Sequence, residues 1–223
     1  MFATRNPLYD KLKSLKGGVF TIEGIIGVGK STLGRSLEKL LKDNGIHCKF
    51  FPEYVNKELL SQYISDMPRY AYSFQMVMLF KRIEIYRDAE RFASQGGVAL
   101  IDRSIIGDMT FARMQKDNGN FTSDEWNIYL SVMKQDIQLT PTASIFLRCS
   151  AKTSLERVKN RGIQAEVDGY TSGYMEQLSD AYEKSISECD NVKHIIIDWD
   201  SPLIVNDGYL TQDLTLEIIE KLL

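Results

Sequence analysis

At 223 residues, 43% of them apolar, with a net charge of −3, the chain has material for one domain with a sizeable core and is not disordered. The mildly acidic balance excludes a broad polyphosphate-binding face, so nucleic acid is not an expected partner. A small anionic ligand needs only a local cluster of cations.

In chain order, Val19 to Glu23 is a short β-branched run that predicts a strand, and Ser31 to Asn44 has helical period. Leu33, Leu37, Leu40 and Leu41 share one side of that helix, and Gly45 stops it. A strand is predicted over His47 to Phe51, and a long amphipathic helix over Phe74 to Ser94, which Gly96-Gly97 breaks. Val98 to Asp102 is a third strand, and Lys116 to Ser123 reads as a surface loop. Asp124 to Gln138 is helical, Ala143 to Arg148 a strand, and Lys152 to Arg161 a helix. Gly162 to Gly173 is a polar interruption of mobile character. A helix over Tyr174 to Glu188, a strand over His194 to Asp198 and a helix over Leu210 to Leu223 finish the chain. Short apolar runs alternating with helical segments predict an α/β fold: one domain over 1–223, with a five-stranded parallel sheet flanked by helices.

Cys48, Cys149 and Cys189 lack C-x-x-C spacing, and His47 and His194 are distant. Neither a disulfide frame nor a Cys/His metal site is expected. The N-terminal residues form no apolar leader, and no apolar run could span a bilayer, so a cytoplasmic protein away from membranes is expected.

Gly24-Ile-Ile-Gly-Val-Gly-Lys30-Ser31 fits the pattern G-x-x-x-x-G-K-S/T between a strand and a helix. Its glycines let backbone N–H groups turn around phosphate oxygens, and the helix N-terminus adds partial positive charge. Lys30 is expected on the β- and γ-phosphates and the Ser31 hydroxyl on Mg²⁺. The donor site then comprises Gly24, Gly27, Val28, Gly29, Lys30, Ser31 and Thr32, with ATP and Mg²⁺ as cofactors. Such loops also serve GTPases, motor ATPases and many kinases, so the motif identifies a phosphate donor and leaves the acceptor open.

Side chains at the C-terminal ends of parallel strands converge on the ligand crevice. Glu53 stands just past the second strand, where it is either a base for an attacking hydroxyl or a solvated loop carboxylate. Asp102 and Arg103 end the third strand at the same edge. Asp102 suits Mg²⁺ or its water shell and Arg103 a reacting phosphate or Glu53, or the two form a structural ion pair.

Taken with the loop IEGIIGVGKST, the segments PEYV, YAYSFQ, DRSIIGD and RVKNRG followed by Glu166 resemble the deoxynucleoside kinase family. That family includes deoxycytidine, deoxyguanosine and bacterial deoxyadenosine kinases, and the resemblance runs from Val19 to about Asp198. It implies a P-loop kinase fold with a lid over about 157–170 and a homodimer, for which the stretch Met76 to Phe80 could serve unless it is core. Glu53 falls on the family's base for the 5′-hydroxyl and Gln75 on the glutamine that pairs with the nucleobase. Arg82 and Asp108 match the branch acting on deoxycytidine and deoxypurines, which favours these over thymidine. Tyr63 and Glu166 match the contacts to the 3′-hydroxyl, and Phe74 and Phe111 the aromatic walls around the base. Arg157 and Arg161 match lid arginines that close over phosphates, with Lys30 and Arg103 beneath them. The chain departs from the family at Ile163, where many members carry another arginine, at Ala165, often acidic, and at Glu58, often Trp. The rival readings are a nucleoside monophosphate kinase of the thymidylate type and a nucleotide-dependent switch.

Overall fold

The computed structural model describes residues 17–135, 140–201 and 205–222. Five strands, β1 (Gly18–Glu23), β2 (Cys48–Phe51), β3 (Val98–Asp102), β4 (Ala143–Arg148) and β5 (His194–Asp198), form one sheet in the order β2-β3-β1-β4-β5. Every pairing in it is parallel, as the alternation of apolar runs and helical segments predicts. The C-terminal ends of all five strands therefore share one edge, and the P-loop, Glu53 and Asp102-Arg103 leave the sheet there.

The helices are α1 (Lys30–Asp43), α2 (Lys57–Ser65), α3 (Met67–Ser94), α4 (Ile105–Asp117), α5 (Ser123–Gln135), α6 (Ala151–Arg161), α7 (Gln164–Gly169), α8 (Ser172–Ser187) and α9 (Gln212–Leu222). A two-residue hairpin, β6 (Val205–Asn206) and β7 (Tyr209–Leu210), precedes α9. Residues 136–138 of the expected helix over Asp124 to Gln138, and Leu223 of the last one, lie outside the described residues.

Leu33, Leu37 and Leu41 of α1 are buried against the sheet, each contributing about 1.5–3 kcal/mol of transfer free energy. A second apolar cluster, with Tyr63, Leu79, Ile83, Ala112 and Tyr129, joins α2, α3, α4 and α5 beside the sheet. The site lies between this second layer and the sheet edge.

Three expectations are corrected. The long helix starts at Met67, seven residues before Phe74, because Asp66 accepts from the Arg69 N–H and Pro68 occupies its first turn. Asn56 and Ser104 cap two helices absent from the sequence reading, α2 and α4, by accepting from the N–H groups of Leu59 and Ile106. The polar stretch after Gly162 is no open loop: Gly162 ends α6 with φ 72°, and α7 follows at once. A Cβ on Gly169 would stand 1.9 Å from the Ile64 side chain, so this stretch docks closely on α2. Among the described residues no helix is long and apolar enough to cross a membrane, and no three or more His, Cys, Asp or Glu side chains gather where they could hold a metal ion by themselves.

Candidate active site

The turn between β1 and α1 is built from backbone conformations that side chains rarely allow. Gly24 has φ 139°, and a Cβ there would lie 2.5 Å from the Leu147 carbonyl oxygen. Gly27 has φ 75°, with the Ser154 carbonyl oxygen 2.7 Å from any added Cβ. These positions accept glycine alone without strain, which turns the loop around an open centre ahead of the α1 N-terminus. The buried Lys30 ammonium donates to the carbonyls of Gly24 (3.2 Å) and Ile25 (2.9 Å). Burial and the charge of Arg103 bring its pKa down to about 8, against the opposite pull of Asp102 and Glu53.

Ser31 Oγ donates to Asp102 Oδ2 at 2.5 Å, which ties the start of α1 to the end of β3. Asp102 is 3% exposed, and its Oδ1 has no hydrogen-bond partner. Burial raises its pKa, while Lys30 pulls the other way. A hydroxyl beside a carboxylate oxygen with an open valence suits a hard divalent cation.

Across the cavity, Glu53 is gripped by two guanidiniums. Arg82 Nη2 donates to Oε1 at 2.6 Å, and Arg103 Nε lies 3.5 Å from Oε2. Burial works to raise the Glu53 pKa, but Arg103, Arg82 and Lys30 outweigh it and hold the carboxyl at about 2. The other end of Arg82 donates to Asp108, which is fully buried. Asp108 Oδ1 also accepts from Gln75 Nε2 and from the Tyr129 hydroxyl, both at 2.7 Å. Gln75 Nε2 further donates to the Asp108 carbonyl at 3.2 Å, so its carbonyl oxygen is left for the cavity. Gln75 and Arg82 stand two turns apart on one face of α3, and Asp108 from α4 fastens both.

These elements enclose a cavity of about 470 Å³, within the usual range for small-molecule sites. Most of the residues selected from sequence line it. Gly24, Val28 and Asp108 do not: the first two shape the loop from behind, and Asp108 lies beneath Gln75 and Arg82. Phe74 stacks on Tyr63 with centroids 4.5 Å apart, and Arg103 lies over Phe111 at 4.7 Å. The Tyr63 hydroxyl already accepts from Gln115 at 2.7 Å and faces the Tyr174 hydroxyl at 3.2 Å.

Arg157 and Arg161, the arginines expected to close over phosphates, both have protein partners here. Arg157 donates to the carbonyls of Val28 (2.8 Å), Trp199 (2.8 Å) and Ser201 (3.1 Å), bracing α6 against the P-loop and the segment after β5. Arg161 Nη2 donates to Glu166 Oε2 at 2.5 Å, so this guanidinium rests on the carboxylate expected to read the sugar. Ile163 stands between α6 and α7 as an N-cap with no side-chain hydrogen bond.

The sequence reading passed over Met78, Arg35 and Tyr170, which also line the cavity. Met78 is three residues past Gln75 and four before Arg82, and that helical spacing would have found it. Arg35 lies one turn past Ser31 on α1. Tyr170 follows α7, a helix the sequence reading missed, and no spacing pointed to it.

A glycine-lined phosphate cradle and a paired serine and aspartate, opening at the sheet edge into one cavity with Glu53, Gln75 and Arg82, define a P-loop phosphotransferase. The chain belongs to the deoxynucleoside kinase family, whose model matches residues 20–223, and it is an ATP-dependent phosphotransferase acting on nucleosides. It is 29% identical over 190 residues to a deoxyadenosine kinase of Dictyostelium discoideum, covering 84% of this chain and 74% of that one. It is 28% identical over 200 residues to a deoxyadenosine/deoxycytidine kinase of Bacillus subtilis, covering 86% and 87%. The fold matches a solved deoxyadenosine kinase of M. mycoides with bound dATP at a TM-score of 0.70 and 23% identity, covering 91% of this chain and 97% of that one.

Proposed function

We propose that the protein transfers the γ-phosphoryl group of ATP to the 5′-hydroxyl of deoxyadenosine, deoxyguanosine or deoxycytidine in preference to thymidine. The observation that carries this reading is Glu53, held between Arg82 and Arg103 in the cavity that also opens on Lys30. A carboxylate so placed accepts a hydrogen bond from a neutral alcohol and fixes its direction of attack.

A carboxyl held at about 2 is a weak base in the empty site. An incoming γ-phosphate competes for Arg103 and Lys30, which returns proton affinity to Glu53 at the moment of transfer. Lys30, Arg103, Arg161 and the loop N–H groups then hold the charge that spreads over the transferring group. Arg161 must leave Glu166 to take part, and the sugar 3′-hydroxyl, donating to Glu166, favours that exchange. Arg157 acts here by bracing the loop. Ser31 and Asp102 would hold Mg²⁺, which neutralises phosphate charge when bound.

For the base, the free Gln75 carbonyl accepts from an exocyclic amine, which adenine, guanine and cytosine carry and thymine lacks. Phe74 and Phe111 are its walls. Asp108 acts on it through Gln75 and Arg82. A monophosphate acceptor would bring added negative charge toward Glu53 and Glu166, which disfavours the thymidylate-kinase type of reaction. In the stretch Met76 to Phe80, Met78 and Leu79 are core, whereas Val77 and Phe80 are 37% and 55% exposed. That outer face supports the homodimer, and Phe80→Glu should shift light-scattering mass toward the monomer.

Initial rates with ATP, the four deoxynucleosides and their monophosphates test the reading. The three amino-bearing nucleosides should outrun thymidine, and every nucleoside its monophosphate. Faster turnover of a monophosphate would overturn the assignment of the acceptor.

A further inference from the structure

Glu23, the last residue of β1, is fully buried and does not line the cavity. No described cation lies within ion-pair distance of its carboxylate. Its partners are the Ser104 N–H, 2.7 Å from Oε1, and the Tyr182 hydroxyl, 3.5 Å from Oε2. Burial pushes the Glu23 pKa up, against the pull of Ser104 and, from farther off, of Arg103 and Arg82, and a carboxyl group taken wholly out of water with no ion pair is costly, so this placement calls for a reason.

The reason lies one residue before Ser104. Arg103 has φ 67°, a left-handed conformation unusual for a residue with a side chain. This turn directs its guanidinium back over Phe111 and toward Glu53. Two bonds hold the strained residue from either side: the Arg103 N–H donates to the Ile22 carbonyl at 3.0 Å, and the Ser104 N–H donates to Glu23. Ser104 in turn caps α4 through Ile106. Gly107, on the first turn of α4, leaves room for the acid. A Cβ there would stand 2.5 Å from Glu23 Oε2 and 2.8 Å from the Tyr182 hydroxyl.

We propose that Glu23 is a positioning residue for phosphoryl transfer, which locks the left-handed turn at Arg103 and so aims that guanidinium into the site. The buried bond from the Ser104 N–H to the Glu23 carboxyl offsets strain of the kind found at φ > 0. The proposal rests on the roles given above to Arg103 and Glu53, and its test separates the two.

Gly107→Ala crowds the Glu23 carboxylate without changing any charge, and alanine suits the helix better than glycine. It should lower kcat by on the order of 10- to 100-fold, as small misplacements of reacting groups do, with little change in Tm or in the nucleoside KM. Glu23→Gln, which keeps an acceptor for the Ser104 N–H, should retain more turnover than Glu23→Leu. The deciding comparison repeats Gly107→Ala in an Arg103→Ala background. A residue acting through Arg103 has nothing left to misplace there, so kcat should fall no further. An equal loss in both backgrounds, or a folded Gly107→Ala protein with wild-type kcat, would overturn the proposal. If Gly107→Ala does not fold, Tyr182→Phe replaces it in the same cycle under the same criteria. Should Arg103→Ala alone leave turnover intact, the role of Arg103 would fail instead.

Discussion

The two halves of the cavity are held by different forces. On the donor side the shape comes from backbone: Gly24, Gly27 and Gly29 adopt positive φ, and the Lys30 ammonium rests on loop carbonyls. On the acceptor side it comes from side chains: Asp108 fastens Gln75 and Arg82, and Arg82 reaches Glu53. A backbone cradle is specified by a few contiguous residues and suits every nucleoside triphosphate. A side-chain network draws on α3, α4 and the ends of β2 and β3, and so can be tuned to one acceptor without disturbing the donor.

The comparison breaks most visibly at Arg82. Arg82→Met leaves the fully buried Asp108 without its cation and Glu53 with Arg103 as its remaining guanidinium, so unfolding free energy should drop by about 3–5 kcal/mol in urea titrations. A loss within experimental scatter would mean that the network is not what holds the acceptor wall. Next in size, Gly24→Ala should cost about 1–3 kcal/mol of backbone strain and raise the KM for ATP while leaving nucleoside binding alone. Equal damage to both substrates would erase the division between the halves. The smallest effect concerns Lys30, whose pKa of about 8 leaves it half-deprotonated near that pH. Phosphate charge raises the pKa, so ATP binding at pH 8 should take up a fraction of a proton. Calorimetry in buffers of different ionisation enthalpy reads this directly, and proton release would contradict the sign.

The same division explains what the sequence made legible. The five strands and the P-loop were readable because each is coded by neighbours: short β-branched runs, glycines at fixed offsets, a lysine before a helix. Glu53 and Asp102-Arg103 were readable by inference from the sheet edge. The Gln75–Arg82–Asp108 cluster came from the family resemblance, since no local spacing reveals that residues on α3 and α4 will meet. The helices capped by Asn56 and Ser104 were missed although their signals were present: each cap is one polar residue amid others of loop character. In sequence Glu23 is simply the end of a strand, and nothing local shows that its carboxyl accepts from the Ser104 N–H beside the left-handed Arg103. Tyr170 and the anchoring of Arg157 on Val28, Trp199 and Ser201 depend wholly on tertiary contacts.

The measurement that bears most directly on Glu53 as the acceptor-side base is single-turnover phosphorylation of deoxyadenosine by Glu53→Gln, with nucleoside affinity measured in parallel. The amide keeps the size of the carboxylate and loses its proton affinity. Transfer should slow by about 10²- to 10⁴-fold, with nucleoside affinity little altered. Transfer at near wild-type rate would remove Glu53 from this role, whatever the state of the donor cradle.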